Sequence, residues 1–116
     1  MIGLNRRFES ALVDLERSVE KILVYTEGMG FDEFAGDENV VDAVLWNFQV
    51  MGEAVSNIPE EFKEANSGVE WGDIRDFRNV VTHKYWMVDP EITWDIIENK
   101  LPGLKREIEN FDVGLH

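Results

Sequence analysis

Cysteine is absent from the 116 residues, proline occurs only three times, and 11 basic residues face 24 acidic ones. The first absence excludes a disulfide scaffold and a Cys-ligated zinc site. Three prolines leave long stretches in which helices run unbroken. No apolar run approaches the length that spans a bilayer, and residues 1–7 carry no secretory h-region, so the cytoplasm is the expected compartment. A basic arm or tail is missing as well. The net charge of −13 is spread over both halves of the chain, which disfavours charge-driven binding of nucleic acid and leaves such binding to a local cluster. The two histidines, His83 and His116, make no metal-ligand pattern, so neither a metal nor a cofactor is expected.

What remains is enough for one domain, burying roughly two-thirds of the surface of its unfolded chain. Its apolar spacing is helical almost throughout. Phe8, Leu12, Leu15, Val19 and Ile22 mark one face of a long first helix, which ends near Tyr25 and is stopped by Gly28 and Gly30. The acidic stretch to Asn39 reads as a connection. A second helix carries Val41, Val44, Phe48, Met51 and Val55, with Val40, Ala43, Val50 and Ala54 beside them. So wide an apolar arc belongs to a central helix or to one buried against a second subunit. Pro59 suits the first turn of a short helix to about Ala65. A third long helix runs from near Trp71 to about His83. A fourth opens on Asp89 as N-cap and Pro90, and its apolar positions continue through Trp94, Ile97, Leu101, Leu104, Ile108 and Phe111, with a kink predicted at Pro102. The expected fold is all-α: an antiparallel four-helix bundle with an additional short helix, one domain over residues 1–116.

The composition changes in one place. Residues 77–88 contain no carboxylate, although one residue in five of the chain is Asp or Glu. At about 100° per residue, Arg78, Thr82, Arg75, Asn79 and His83 fall in order across one polar arc of about 140°, opposite Ile74, Phe77, Val80 and Val81. A solvated helix face is the plain reading of such an arc. Its chemistry is nevertheless specific: an Arg fork binds phosphate, Asn positions a hydroxyl, and His moves a proton near neutral pH. Those parts suit metal-free cleavage of RNA, in which the 2′-OH attacks the adjacent phosphate while charge builds on its oxygens.

The segment Arg78-Asn79-Val80-Val81-Thr82-His83-Lys84-Tyr85 reads as Arg, four residues, His, one residue, Tyr. It resembles the signature of HEPN-superfamily ribonucleases, specifically the HepT-like toxins of prokaryotic toxin–antitoxin pairs. Phe34, Asp37, Ala43, Asn47, Gly52-Glu53-Ala54, Trp71, Trp94 and Leu101-Pro102-Gly103-Leu104 follow the same pattern in order, so the likeness covers nearly the whole chain. Glu70, where the family often has Pro, and Asp76-Phe77, where it commonly has Gly-Met, depart from it. The resemblance implies a metal-independent RNA endonuclease, the toxin of a type VII system, acting as a homodimer with both motifs in one cleft. It implies catalysis by Arg78 and His83, substrate positioning by Asn79, Arg75 and Thr82, and AMPylation of Tyr85 by a cognate minimal nucleotidyltransferase antitoxin. The alternative is a non-catalytic HEPN module that binds a nucleotide or such a partner, which the charge of −13 favours. Trp46, Trp71, Trp86 and Trp94 are expected to pack in a core or interface more than to stack on bases. Asn47 and Glu53 are left between packing and support of the cleft.

Overall fold

The computed structural model describes residues 6–82 and 89–111, and of residues 80–82 the backbone alone. Among these residues the chain is all-helical: α1 (Arg6–Tyr25), α2 (Phe31–Gly36), α3 (Glu38–Ser56), α4 (Glu60–Ala65), α5 (Trp71–Thr82), α6 (Pro90–Asn99) and α7 (Leu101–Glu109). The all-α class and the bundle with added short helices are as expected.

The periodic apolar positions become the core. Leu15, Ile22, Phe34, Val44, Phe48, Met51, Leu101 and Thr93 are completely buried. α3 is the centre of the structure, with α1 along one side and α5 along the other. Its wide apolar arc therefore belongs to a central helix, the first of the two alternatives. Both neighbours run antiparallel to it. Residues 7–14 of α1 share a groove with residues 46–57 of α3, and Val55 lies by the start of α5 at Trp71 and Gly72, whereas Gly52 and Phe48 meet it further on, at Arg78 and Phe77. The end of the bundle is closed by Phe62 of α4, whose ring lies 5.0 Å from Phe8 and 5.2 Å from Phe111, edge to face with both.

Two connections differ from the sequence expectation. Residues 31–36, read as part of a connection, form α2, because Phe34 is drawn into the core and stacks at 5.1 Å on Trp94. Asp37 then closes α2 and opens α3, its side chain accepting the Val40 amide at 3.1 Å. The fourth long helix is two helices. Lys100 separates α6 from α7, and Pro102 stands in the first turn of α7, where its missing amide hydrogen costs nothing, instead of kinking a continuous helix. Elsewhere the punctuation is as read. Gly28 takes the left-handed conformation (φ 76°) after α1, and Asp89 caps α6 by accepting from the Glu91 amide at 2.9 Å.

Candidate functional site

The acid-free arc lies on α5, and that helix is held at three levels. At its start, Trp71 donates its indole N–H to the Asn66 carbonyl at 3.1 Å and stacks on Phe111. One turn on, Ile74 and Phe77 are buried, and Phe77 packs 5.4 Å from Phe48 of α3. The third level is a close approach at Gly52. A Cβ there would stand 3.0 Å from Cδ of Arg78, 3.1 Å from its Cβ and 3.2 Å from the Arg75 carbonyl oxygen. Any side chain at position 52 would push these atoms away by a few tenths of an ångström, so Gly52 helps to set where Arg78 emerges from the bundle.

With its apolar side fixed inward, α5 turns Arg75 and Asn79 to solvent and leaves Arg78 half-buried at the α3–α5 junction. The Arg78 Nη1 donates to Oε2 of Glu53 at 3.4 Å, and the stem of Arg78 lies on Gly52. Glu53 is thus an exposed partner of the motif arginine and not a packed residue. Asn47 takes the packing role: it is buried and donates to the Ala43 carbonyl within its own helix. Arg75 reaches its neighbour instead, Nε to Oδ1 of Asp76 at 3.3 Å, so the anion beside the arc is spent on Arg75. Thr82 occupies the last described position of α5; its side chain, His83 and Tyr85 lie outside the described residues. The structure therefore brings together Arg78, Glu53 and Gly52, sets the Arg75 carbonyl against Gly52, and leaves Asn79 exposed on α5.

Such a pair is suited to exchange. At 3.4 Å between partly exposed groups, the Arg78–Glu53 contact is weak in water, whereas a phosphate offers the same guanidinium two parallel charge-assisted bonds.

A second charged cluster lies on the opposite flank of α5. Lys100, at the break between α6 and α7, donates to Glu70 at 3.3 Å and Asp73 at 3.5 Å over a groove of about 250 Å³ floored by Val69, Ile74 and Phe77. A hydrogen bond with Glu70 holds the Asp73 carboxyl below its usual value against the opposing effect of desolvation, and Lys100 adds to the lowering. The same two carboxylates hold the Lys100 ammonium above its usual value. All three groups satisfy one another, and the cluster ties the start of α5 to the α6–α7 break.

Of the four tryptophans, Trp71 is buried and Trp94 is half-buried on Phe34, as expected, while Trp86 lies outside the described residues. Trp46 is the exception, 64 % exposed on the outer face of α3. The signal was present in the sequence: Asn39, Asp42, Trp46, Gln49 and Glu53 follow helical spacing, which places one aromatic alone in a polar stripe.

Comparison with known proteins gives the same direction. The family model described as "Ribonuclease HepT-like" matches residues 15–111. "Putative RNase MJ0127" of Methanocaldococcus jannaschii is 38 % identical over 98 residues, covering 84 % of this chain and 81 % of that one. "Putative RNase TTE0752" of Caldanaerobacter subterraneus subsp. tengcongensis is 31 % identical over 87 % of each chain. "Probable ribonuclease HepT" of Thermococcus cleftensis is 28 % identical over 91 % of this chain and 96 % of its own length. No solved structure matches. With a family model that matches residues 15–111, from the middle of α1 through α7, and with Arg78 on α5, the chain belongs to the HepT-like ribonuclease family.

Proposed function

We propose that the chain is a metal-independent RNA endonuclease, the toxin half of a type VII toxin–antitoxin pair. The observation that carries the reading is Arg78, which leaves the α3–α5 junction beside Gly52 on a face shared with Asn79, five residues before His83. In the cleavage step the ribose 2′-oxygen bonds to phosphorus and the bond to the 5′-oxygen breaks. His83 takes or returns the proton, and Arg78, released from Glu53, neutralises the phosphoryl oxygens, where fixed charge is most effective. Asn79, Arg75 and Thr82 position the strand. The products are a 2′,3′-cyclic phosphate and a 5′-hydroxyl.

Two copies would supply two such motifs to one cleft. The support for a homodimer is the family likeness, since the wide arc of α3 is used up within the chain by α1 and α5. A cognate nucleotidyltransferase would transfer AMP from ATP to the Tyr85 hydroxyl, with pyrophosphate leaving. The added phosphate would then compete with RNA for Arg78 and repel the incoming backbone.

One experiment tests the set. Purified protein is incubated with RNA in EDTA and its products and mass are measured; a second sample is first treated with the cognate nucleotidyltransferase, ATP and magnesium, its modification is mapped, and it is then assayed in the same way. The expected results are cleavage ending in cyclic phosphate, a loss of about 10²–10⁴-fold in His83→Ala, and a comparable loss in Arg78→Ala with the fold intact. One AMP increment on Tyr85 should silence it, and Tyr85→Phe should escape the modification. A magnesium requirement with 5′-phosphate products overturns the chemistry. A label on Tyr25 overturns the regulation.

The second reading, a non-catalytic binding module, is favoured by one observation: the Arg78 guanidinium is already paired with Glu53 in a chain of net charge −13. Absence of cleavage by a folded wild type that binds its nucleotidyltransferase would select it.

A further inference from the structure

We infer that Trp46 is a stacking platform for a base of single-stranded RNA, placed beside the site on the outer face of the α1–α3–α5 layer. The inference rests on the ribonuclease reading and extends it to how the strand is held.

The position of Trp46 comes first. It stands seven residues before Glu53 on the same stripe of α3, about 10 Å along the helix. Because α5 is antiparallel to α3, with Gly52 at Arg75 and Arg78 and Phe48 at Phe77, Trp46 is level with the C-terminal turn of α5. The indole and Arg78 therefore share one face, and the gap between them is the span of a nucleotide or two.

Charge is distributed to match. On α1 the basic residues Arg7, Arg17 and Lys21 lie on the edge toward this face, whereas Glu9, Glu16 and Glu20 lie on the far edge. Arg7 and Asp14 line the groove with Trp46, Gln49, Val50 and Glu53, and continuing the antiparallel register sets Arg17 level with Trp46 and Lys21 with Asp42. With Arg78, the face carries four cations against Asp14, Asp42 and Glu53. In a chain so acidic this is a locally balanced surface, on which a phosphate backbone meets less repulsion than the net charge implies.

Stacking also supplies what the charge does not. A nuclease of net charge −13 gains little from long-range attraction, and base–aromatic stacking is short-range and tolerant of sequence. A lone indole amid Asp42, Gln49 and Glu53 offers a flat ring with hydrogen-bonding groups around it, which fits a base. An interface between copies needs a broader apolar centre than one exposed ring with half-buried Ala43 and Val50 beside it.

The test uses the full chain and a fluorescein-labelled 2′-O-methyl RNA 12-mer, which has no free 2′-OH and is not cut. Dissociation constants are measured by anisotropy for wild type, Trp46→Phe and Trp46→Ala, with a cleavable RNA of the same sequence assayed in parallel and mass followed by light scattering. Expected are binding weakened about tenfold in Trp46→Ala, near-wild-type binding in Trp46→Phe, and a rise in KM larger than the fall in kcat. Equal binding by all three proteins overturns the stacking role and leaves the ribonuclease reading untouched. Loss of cleavage without any change in binding also overturns it. A Trp46→Ala protein of half the wild-type mass overturns it in favour of an interface between copies. If wild type binds the 12-mer through Trp46 yet cuts nothing, the stacking stands and the ribonuclease reading fails.

Discussion

Gly52 carries the most consequence of any single residue in the described site. In an exposed helix, replacing glycine by alanine gains up to about 1 kcal/mol from lower backbone entropy. Here the new Cβ meets the Arg75 carbonyl oxygen at 3.2 Å and Cδ and Cβ of Arg78 at 3.0 and 3.1 Å, so a helix backbone as well as a side chain must give by a few tenths of an ångström. Overpacking of this kind costs about 1–3 kcal/mol, which outweighs the gain. Gly52→Ala is expected to lower the melting temperature and to depress RNA cleavage further than the stability loss explains, because the displaced atoms belong to Arg78. A thermal melt and a cleavage assay on the same preparation check both. Were the variant more stable and fully active, α5 would not be seated on Gly52 as described.

Among the elements, the break between α6 and α7 is secured through Lys100. A raised Lys100 and a lowered Asp73 have opposite pH signatures. The Lys100 contribution is complete below 10.5 and fades as the pH rises through its elevated value. The Asp73 contribution is complete above 3.8 and fades as the pH falls through its depressed value. All three groups are solvent-exposed, so the effect at neutral pH is small. Lys100→Met is expected to melt near the wild-type temperature at pH 7. Between pH 4 and pH 2 it should lose less stability than wild type, since the variant has given up part of what acid removes. Parallel melting curves across that range would decide it.

The same elements show what the sequence makes legible. Asp89-Pro90 is a start signal read from two residues, and Phe8 to Ile22 fixes a face by period alone; both are as built. α2 was not readable, because six residues are too few for a period and its cause is the distant contact of Phe34 with Trp94. The α6–α7 break escaped for the reverse reason. The apolar period runs through Lys100 without a slip, and only the backbone there shows that two helices share one stripe. At the site, the arc of Arg75, Arg78 and Asn79 was legible from spacing. The pairing of Arg78 with Glu53 depends on α3 and α5 lying at the distance Gly52 permits, which no local pattern encodes.

For the whole molecule, charge sets the terms of encounter with RNA. Most nucleic-acid-binding proteins lose affinity steeply as salt rises, through release of counterions from the phosphates they neutralise. With 24 acidic against 11 basic residues, this chain repels a polyanion at long range and offers few cations at contact. The kcat/KM for RNA is therefore expected to change little, or to rise, as salt is taken from about 0.01 M to 0.15 M, where the screening length shrinks from about 30 to 8 Å. A steep fall over that range would show a cationic surface far larger than Arg7, Arg17, Lys21 and Arg78. Light scattering over the same series, against the chain mass of 13.4 kDa, reads the oligomeric state in parallel.

Asp37 ends one helix and begins the next, so α2 passes into α3 with a single residue between them. A protease needs several residues of extended chain to fit its cleft, and this corner supplies none. The segment from Asn66 to Glu70, which joins α4 to α5 without helix, is the better substrate. Between these two connections, limited digestion should cut at residues 66–70 and leave α1 through α4 as one fragment. By the same geometry, a foreign loop or a reporter peptide is better tolerated at Ser67 and Gly68, both exposed, than at the Asp37 corner.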